Sequence, residues 1–114
     1  MSIALNEPLY LGYGGYTHVS FSNYQNGNIA ILLNPNEADA YTEDSLIVTV
    51  NINKLDDDKI TLDSNNLGKD LAPIVKSFTE NSIIGKFIGY QQSGYVDDYP
   101  VYEFTADLEN NRVS

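Results

Sequence analysis

The sequence predicts an α+β fold: a mostly antiparallel sheet of five or six strands with one helix packed on a face. Three observations lead there. Short apolar or alternating runs recur along the chain, separated by turn residues. One segment alone, following Asn65 and Asn66, carries apolar residues at helical spacing. The length of 114 residues, 42% of them hydrophobic, suits one domain with one core.

Residues 1–15 read as a Gly/Tyr-rich N-terminal segment, with Gly12-Tyr13-Gly14-Gly15 a flexible loop, 16–108 as the domain and 109–114 as a tail. Thr17–Phe21 alternates around Val19 and Phe21 and reads as a strand. Asn26-Gly27 then predicts a type I′ hairpin turn, in which both central residues take positive φ. Ile29–Leu33, nearly all apolar, is the returning strand and a central one. Asn34–Asp44 is an exposed loop, since Pro35 and its acids favour water over a ladder. Ser45–Asn53 is the strongest predicted strand, with Leu46, Val48, Val50 and Ile52 on one face. Leu55–Lys59 is an acidic turn and Ile60–Leu62 a short strand.

Asn65 or Asn66 caps a predicted helix over about Lys69–Thr79. Leu71, Ile74, Val75 and Phe78 form its apolar stripe, and Pro73 restricts its start to near Asp70. Asn81 suits its end. Ile83–Tyr90 and Tyr99–Thr105 are two further strands joined by a loop containing Gly94.

Charge sets the second line of argument. Sixteen acids face six bases, a net charge of -10. Residues 1–36 carry only Glu7, and 37–63 carry eight acids against Lys54 and Lys59. That field repels phosphate backbones and attracts basic surfaces, so direct nucleic-acid binding is excluded. Cysteine is absent, which removes disulfides, thiolate metal sites and cysteine nucleophiles. Met1–Leu11 has no basic flank and contains Asn6, Glu7 and Pro8, unlike a signal peptide. No apolar stretch approaches the ~20 residues that span a bilayer. The expectation is a cytoplasmic protein with no membrane contact and no cofactor.

Three segments resemble a known family. Thr49-Val50-Asn51 looks like that family's strand end, and Asp63-Ser64-Asn65-Asn66 like its Asp-Thr-Asn-Asn. Tyr99-Pro100-Val101-Tyr102-Glu103-Phe104 looks like its Tyr-Pro-Leu-Tyr-x-Phe. The family is a small domain of unknown function, carried on phages, plasmids and other mobile elements of gut and Gram-positive bacteria. The likeness covers about residues 16–108 and departs at Ala72-Pro73-Ile74, where acidic and aromatic residues are usual. It implies a mobile-element setting and supplies no catalytic residues.

The candidate chemistry is sparse. His18, the single histidine, shares a strand face with Ser20, but no orienting carboxylate can be named and no nucleophile-elbow pattern surrounds them. Asp56-Asp57-Asp58 with Asp63 suggests calcium, yet Ile60 and Thr61 occupy the positions where an EF-hand loop needs an acid and a glycine. Gly12-Tyr13-Gly14-Gly15 lacks the lysine and the helix of a phosphate loop. No metal ligand set or catalytic residue is assigned.

The expected function is therefore binding. Nine tyrosines, many beside glycines or acids, supply large rigid contact surfaces with polar tips. The expected contact residues are Glu43, Asp44, Asp56, Asp57, Asp58, Asp63, Tyr95, Asp97, Asp98 and Tyr99. Together they would form a patch that imitates a polyanion. On this reading the chain is an inhibitor of anti-CRISPR or anti-restriction type. Its partner is a basic host protein, such as a CRISPR effector nuclease or a restriction enzyme, and it competes with nucleic acid. The alternative is an accessory or structural domain that self-associates through a sheet edge or the helix stripe, its acidity conferring only solubility.

Overall fold

A computed structural model describes residues 2–12, 14–37, 43–56, 58–93 and 97–106. The α+β class holds, but the strands form two antiparallel sheets, not one sheet of five or six. A four-stranded sheet has the order β1-β2-β3-β4 and a three-stranded sheet the order β5-β7-β6. The strands are β1 (Ser2–Leu11), β2 (Gly14–Asn23), β3 (Ile29–Asn34), β4 (Leu46–Ile47), β5 (Lys59–Thr61), β6 (Ile84–Ser93) and β7 (Asp97–Phe104). A short α1 (Ser64–Leu67), a 3₁₀ turn (Gly68–Asp70) and α2 (Leu71–Glu80) follow β5.

The Gly/Tyr-rich N-terminal segment contains β1 and the first residues of β2. Its residues pair with β2 from Ser2↔Ser20 to Leu11↔Gly14, and Leu9 enters the core at 8% exposure. The ladder shifts between Ala4 and Leu9, around Pro8, which has no N–H to give it. The hairpin between β2 and β3 also differs from expectation. Gly27 has φ 92°, but Asn26 has no positive φ, so the turn is not type I′. Instead the Gly27 N–H bonds to Tyr24 O, the Tyr24 N–H bonds to Asn28 O, and Asn23 pairs with Ile29. β3 is central as predicted, with Ala30 to Asn34 all buried.

The strongest predicted strand is largely absent. Only Leu46–Ile47 pairs with β3, although Val48 N–H still reaches Ile31 O at 3.0 Å. Beyond it the chain changes sheets. The Thr49 hydroxyl accepts from Ile31 N–H (3.2 Å), standing in for a ladder carbonyl, while Val50 N–H bonds to Thr61 O (3.0 Å). Downstream, the Asn28 amide donates to Asn51 Oδ1 (2.8 Å) and Asn53 O (2.7 Å), and its Oδ1 accepts from Leu55 N–H (2.9 Å). Asn53 O and Leu55 N–H are thus held by one side chain and withdrawn from any ladder, and residues 51–55 form no strand.

The crossing also joins the two sheets, through the bridge Thr49↔Leu62 and the bond from Asp63 N–H to Val48 O. In the combined array β1 and β6 are the outer strands, and α2 packs against both. The helix thus stands where a barrel would need one more strand. One core results, from Val19, Ile31 and Leu33 of the first sheet, Ile60 and Ile84 of the second, Val48, Leu62 and Ile83 just outside the strands, and Ile74 and Phe78 of α2.

α2 begins at Leu71, so Pro73 lies in its first turn as expected. Asn65 and Asn66 do not cap it. Asp63 caps α1, its carboxylate accepting from Asn66 N–H, and α2 has no side-chain cap at its start. At its end Asn81 is the C-cap residue, and Ser82 takes the left-handed φ of 59°. Ser82 N–H bonds to Thr79 O and Ile83 N–H to Phe78 O, the two bonds of a Schellman motif. Phe78 and Ile83, both fully buried, make its hydrophobic contact. Asn81 also clasps β1: it donates to Asn6 Oδ1 and accepts from Asn6 N–H. The Gly94 loop and the 109–114 tail lie outside the described residues.

Candidate functional site

The expected carboxylates fall in three places. Glu43 and Asp44 are exposed beside β4, along a groove also lined by Gly14, Gly15 and Pro35. Asp56 and Asp58 stand at the β5 end where Phe104 N–H bonds to Asp58 O. Asp98 is exposed near the opposite end of β7. From Asp98 to Phe104, at ~3.3 Å per strand residue, the last two groups are about 20 Å apart.

Several of these residues already have structural partners. Asp56 receives the Lys59 ammonium at 2.8 Å, and this hydrogen bond and charge lower its pKa and raise that of Lys59. Asp56 is exposed and Lys59 only half-buried, so solvent screens the pair and it adds little to stability. Asp63 is held as the α1 cap. Tyr99, expected as a contact residue, is buried at 8% exposure, so its ring is not a surface anchor. Asp97 contributes the first residue of β7, paired with Ser93. Asp57 and Tyr95 lie outside the described residues.

The weighed alternatives also find ordinary roles. His18 Nδ1 is 2.8 Å from the Thr17 hydroxyl, which donates to Pro35 O, while Ser20 Oγ accepts from Asn34 Nδ2. Histidine and serine thus serve different neighbours. Among the described residues no three His, Asp or Glu side chains converge as metal ligands would.

The structure does assemble a surface that strand periodicity does not reveal. Phe87 and Tyr90 are three residues apart, which in a regular strand puts them on opposite faces. Here Phe87 pairs with Tyr102 but Gly89 with Val101, so Ile88 is the extra residue of a bulge. The bulge returns Tyr90 to the Phe87 face, opposite Pro100. Phe87 then meets Tyr90 and Tyr102 edge to face, with ring centroids 5.1 and 5.6 Å apart.

On β7, Asp98, Pro100 and Tyr102 alternate onto this same face. Across from it, Ser64 and Leu71 of the helical segment form the second wall of an open groove of about 430 Å³. Phe87 is 45% and Tyr90 67% exposed, large values for aromatic side chains. Tyr102, the innermost ring, has its pKa raised, first by burial and second by Tyr90.

No protein-family model, no curated protein and no solved structure matches this chain. Among the described residues no helix is long and apolar enough to cross a membrane.

Proposed function

We propose that this chain is a non-enzymatic binding protein that docks on a basic protein surface. The carrying observation is the open aromatic groove at Phe87, Tyr90 and Tyr102, with exposed Asp98 at its margin, on a molecule of net charge -10. Aromatic anchors surrounded by like-signed charge are what a charge-steered interface needs. The field speeds encounter, and the rings supply burial once contact is made. Within that class, the proposed role is the mobile-element inhibitor of anti-CRISPR or anti-restriction type, which occupies a Lys/Arg surface that otherwise holds phosphates.

Self-association through a sheet edge is the weaker reading. Both outer strands, β1 and β6, carry register shifts, and such bulges work against edge-to-edge pairing. Two copies would also bring together two charges of -10.

The test is competition. Purified protein is titrated into complexes of labelled duplex DNA with a CRISPR effector nuclease and with a restriction enzyme, and anisotropy is followed at 50 and 300 mM NaCl. Displacement at low salt with much slower association at high salt is expected, because screening shortens the reach of the field. Failure to displace DNA or to bind either enzyme at both salt concentrations would exclude the inhibitor role.

A further inference from the structure

We propose that the Phe87–Tyr90–Tyr102 groove is an arginine-binding site for a basic segment of a protein partner. The inference rests on the binding function proposed above and names the chemistry of its contact. Edge-to-face packing, at interplanar angles of 69° and 67°, keeps the rings from stacking flat on one another, and at 45% and 67% exposure Phe87 and Tyr90 retain accessible ring surface. A ring face is the negative end of the aromatic quadrupole and attracts a cation seated within ~6 Å of it. Asp98 stands two residues along β7 from Pro100, the partner of Tyr90, or about 7 Å at strand spacing. An arginine lying along this step stacks its plane on an aromatic face and directs its fork at the carboxylate. A lysine ammonium offers neither a plane to stack nor a fork.

Charge selects among the occupants. Among the described residues no basic side chain lines the groove, so none of them repels an incoming cation. The net charge of -10 opposes a nucleic acid, an anionic membrane and a second copy of the chain. A small apolar ligand would leave the exposed Asp98 carboxylate at the margin without a counter-charge. The basic peptide segment alone satisfies both the rings and the carboxylate.

The probe is the peptide Gly-Gly-Arg-Gly-Arg-Gly-Gly, compared with its lysine and citrulline counterparts by NMR titration of the full chain in 150 mM NaCl. Citrulline keeps the planar shape without the charge, and lysine keeps the charge without the plane. The arginine peptide is expected to shift the signals of Phe87, Tyr90, Asp98 and Tyr102, to bind at least threefold more tightly than the lysine peptide, and to lose most binding as citrulline. Tyr90→Ala and Asp98→Asn should each weaken it at least fivefold, whereas Glu80→Gln, exposed at the end of α2, should change it less than twofold. Both altered side chains are exposed, so the fold is retained and can be verified in the same spectra.

Equal binding of arginine and citrulline, equal losses from Glu80→Gln and Asp98→Asn, or shifts spread over the acidic loops would each overturn the proposal. So would a dimer, seen by sedimentation, that Tyr90→Ala disrupts. If the parent displaces DNA from a nuclease and Tyr90→Ala displaces it equally well, the binding function stands and the groove assignment falls. If the peptide seats in the groove while no nuclease is bound, the inhibitor role falls instead.

Discussion

Asn28→Ala should destabilise this protein more than its position in a hairpin loop suggests. The side chain is 7% exposed and makes three hydrogen bonds of 2.7 to 2.9 Å to Asn51, Asn53 and Leu55. Each typically contributes ~0.5–1.5 kcal/mol net, so removing all three should cost about 2–4 kcal/mol. That is a large share of the ~5–15 kcal/mol that holds a small domain together. With a urea dependence of about 2 kcal/mol per molar, the middle of the usual range, the unfolding midpoint should fall by about 1–2 M.

Asn28→Asp is the sharper variant. It keeps an acceptor for Leu55 N–H but turns a carboxylate oxygen toward Asn51 Oδ1 and Asn53 O, so it should cost at least as much as alanine. Urea unfolding followed by circular dichroism gives both values, and amide exchange at Leu55 gives the local one. A loss below about 0.5 kcal/mol for Asn28→Ala, with Leu55 still protected, would refute the clamp and the account of why residues 51–55 leave the sheet.

Two further outcomes test the fold and the groove. Ser82→Gly should stabilise the chain by about 1 kcal/mol, because Ser82 holds a left-handed φ of 59° that costs a residue with a Cβ; a loss of stability in the same urea assay would show that the serine side chain offsets that strain. The raised Tyr102 pKa means that the fold favours the neutral phenol, so its contribution is complete below about pH 10 and is lost as pH rises through the native value. Tyr102→Phe should therefore lose stability less steeply than the parent above about pH 10, and parallel alkaline unfolding profiles would count against burial as the cause.

Some elements were legible because their signals are local. The stripe Leu71, Ile74, Val75 and Phe78 needs only helical periodicity, and Pro73 and Asn81 bracket α2 through their own backbone chemistry. The unbroken apolar run of β3 identifies a central strand for a similar reason. Residues 45–53 misled because alternation states which side chains prefer burial, not which backbone partner the chain will find. Thr49 and Asn28 redirect that segment through bonds to residues 18 to 27 positions away.

The candidate site divides along the same line. The sequence by itself determined the charge of -10, the absence of thiol chemistry and the apolar material for one core. Only the tertiary structure decided where those groups act. It separated the acids about 20 Å apart along β7, buried Tyr99 and used Asp63 as a cap. A single extra residue at Ile88 brought Phe87 and Tyr90 onto one face beside Tyr102. The physical reason is that charge is a sum over residues, whereas a surface depends on strand register, and one bulge reverses the face of every residue beyond it.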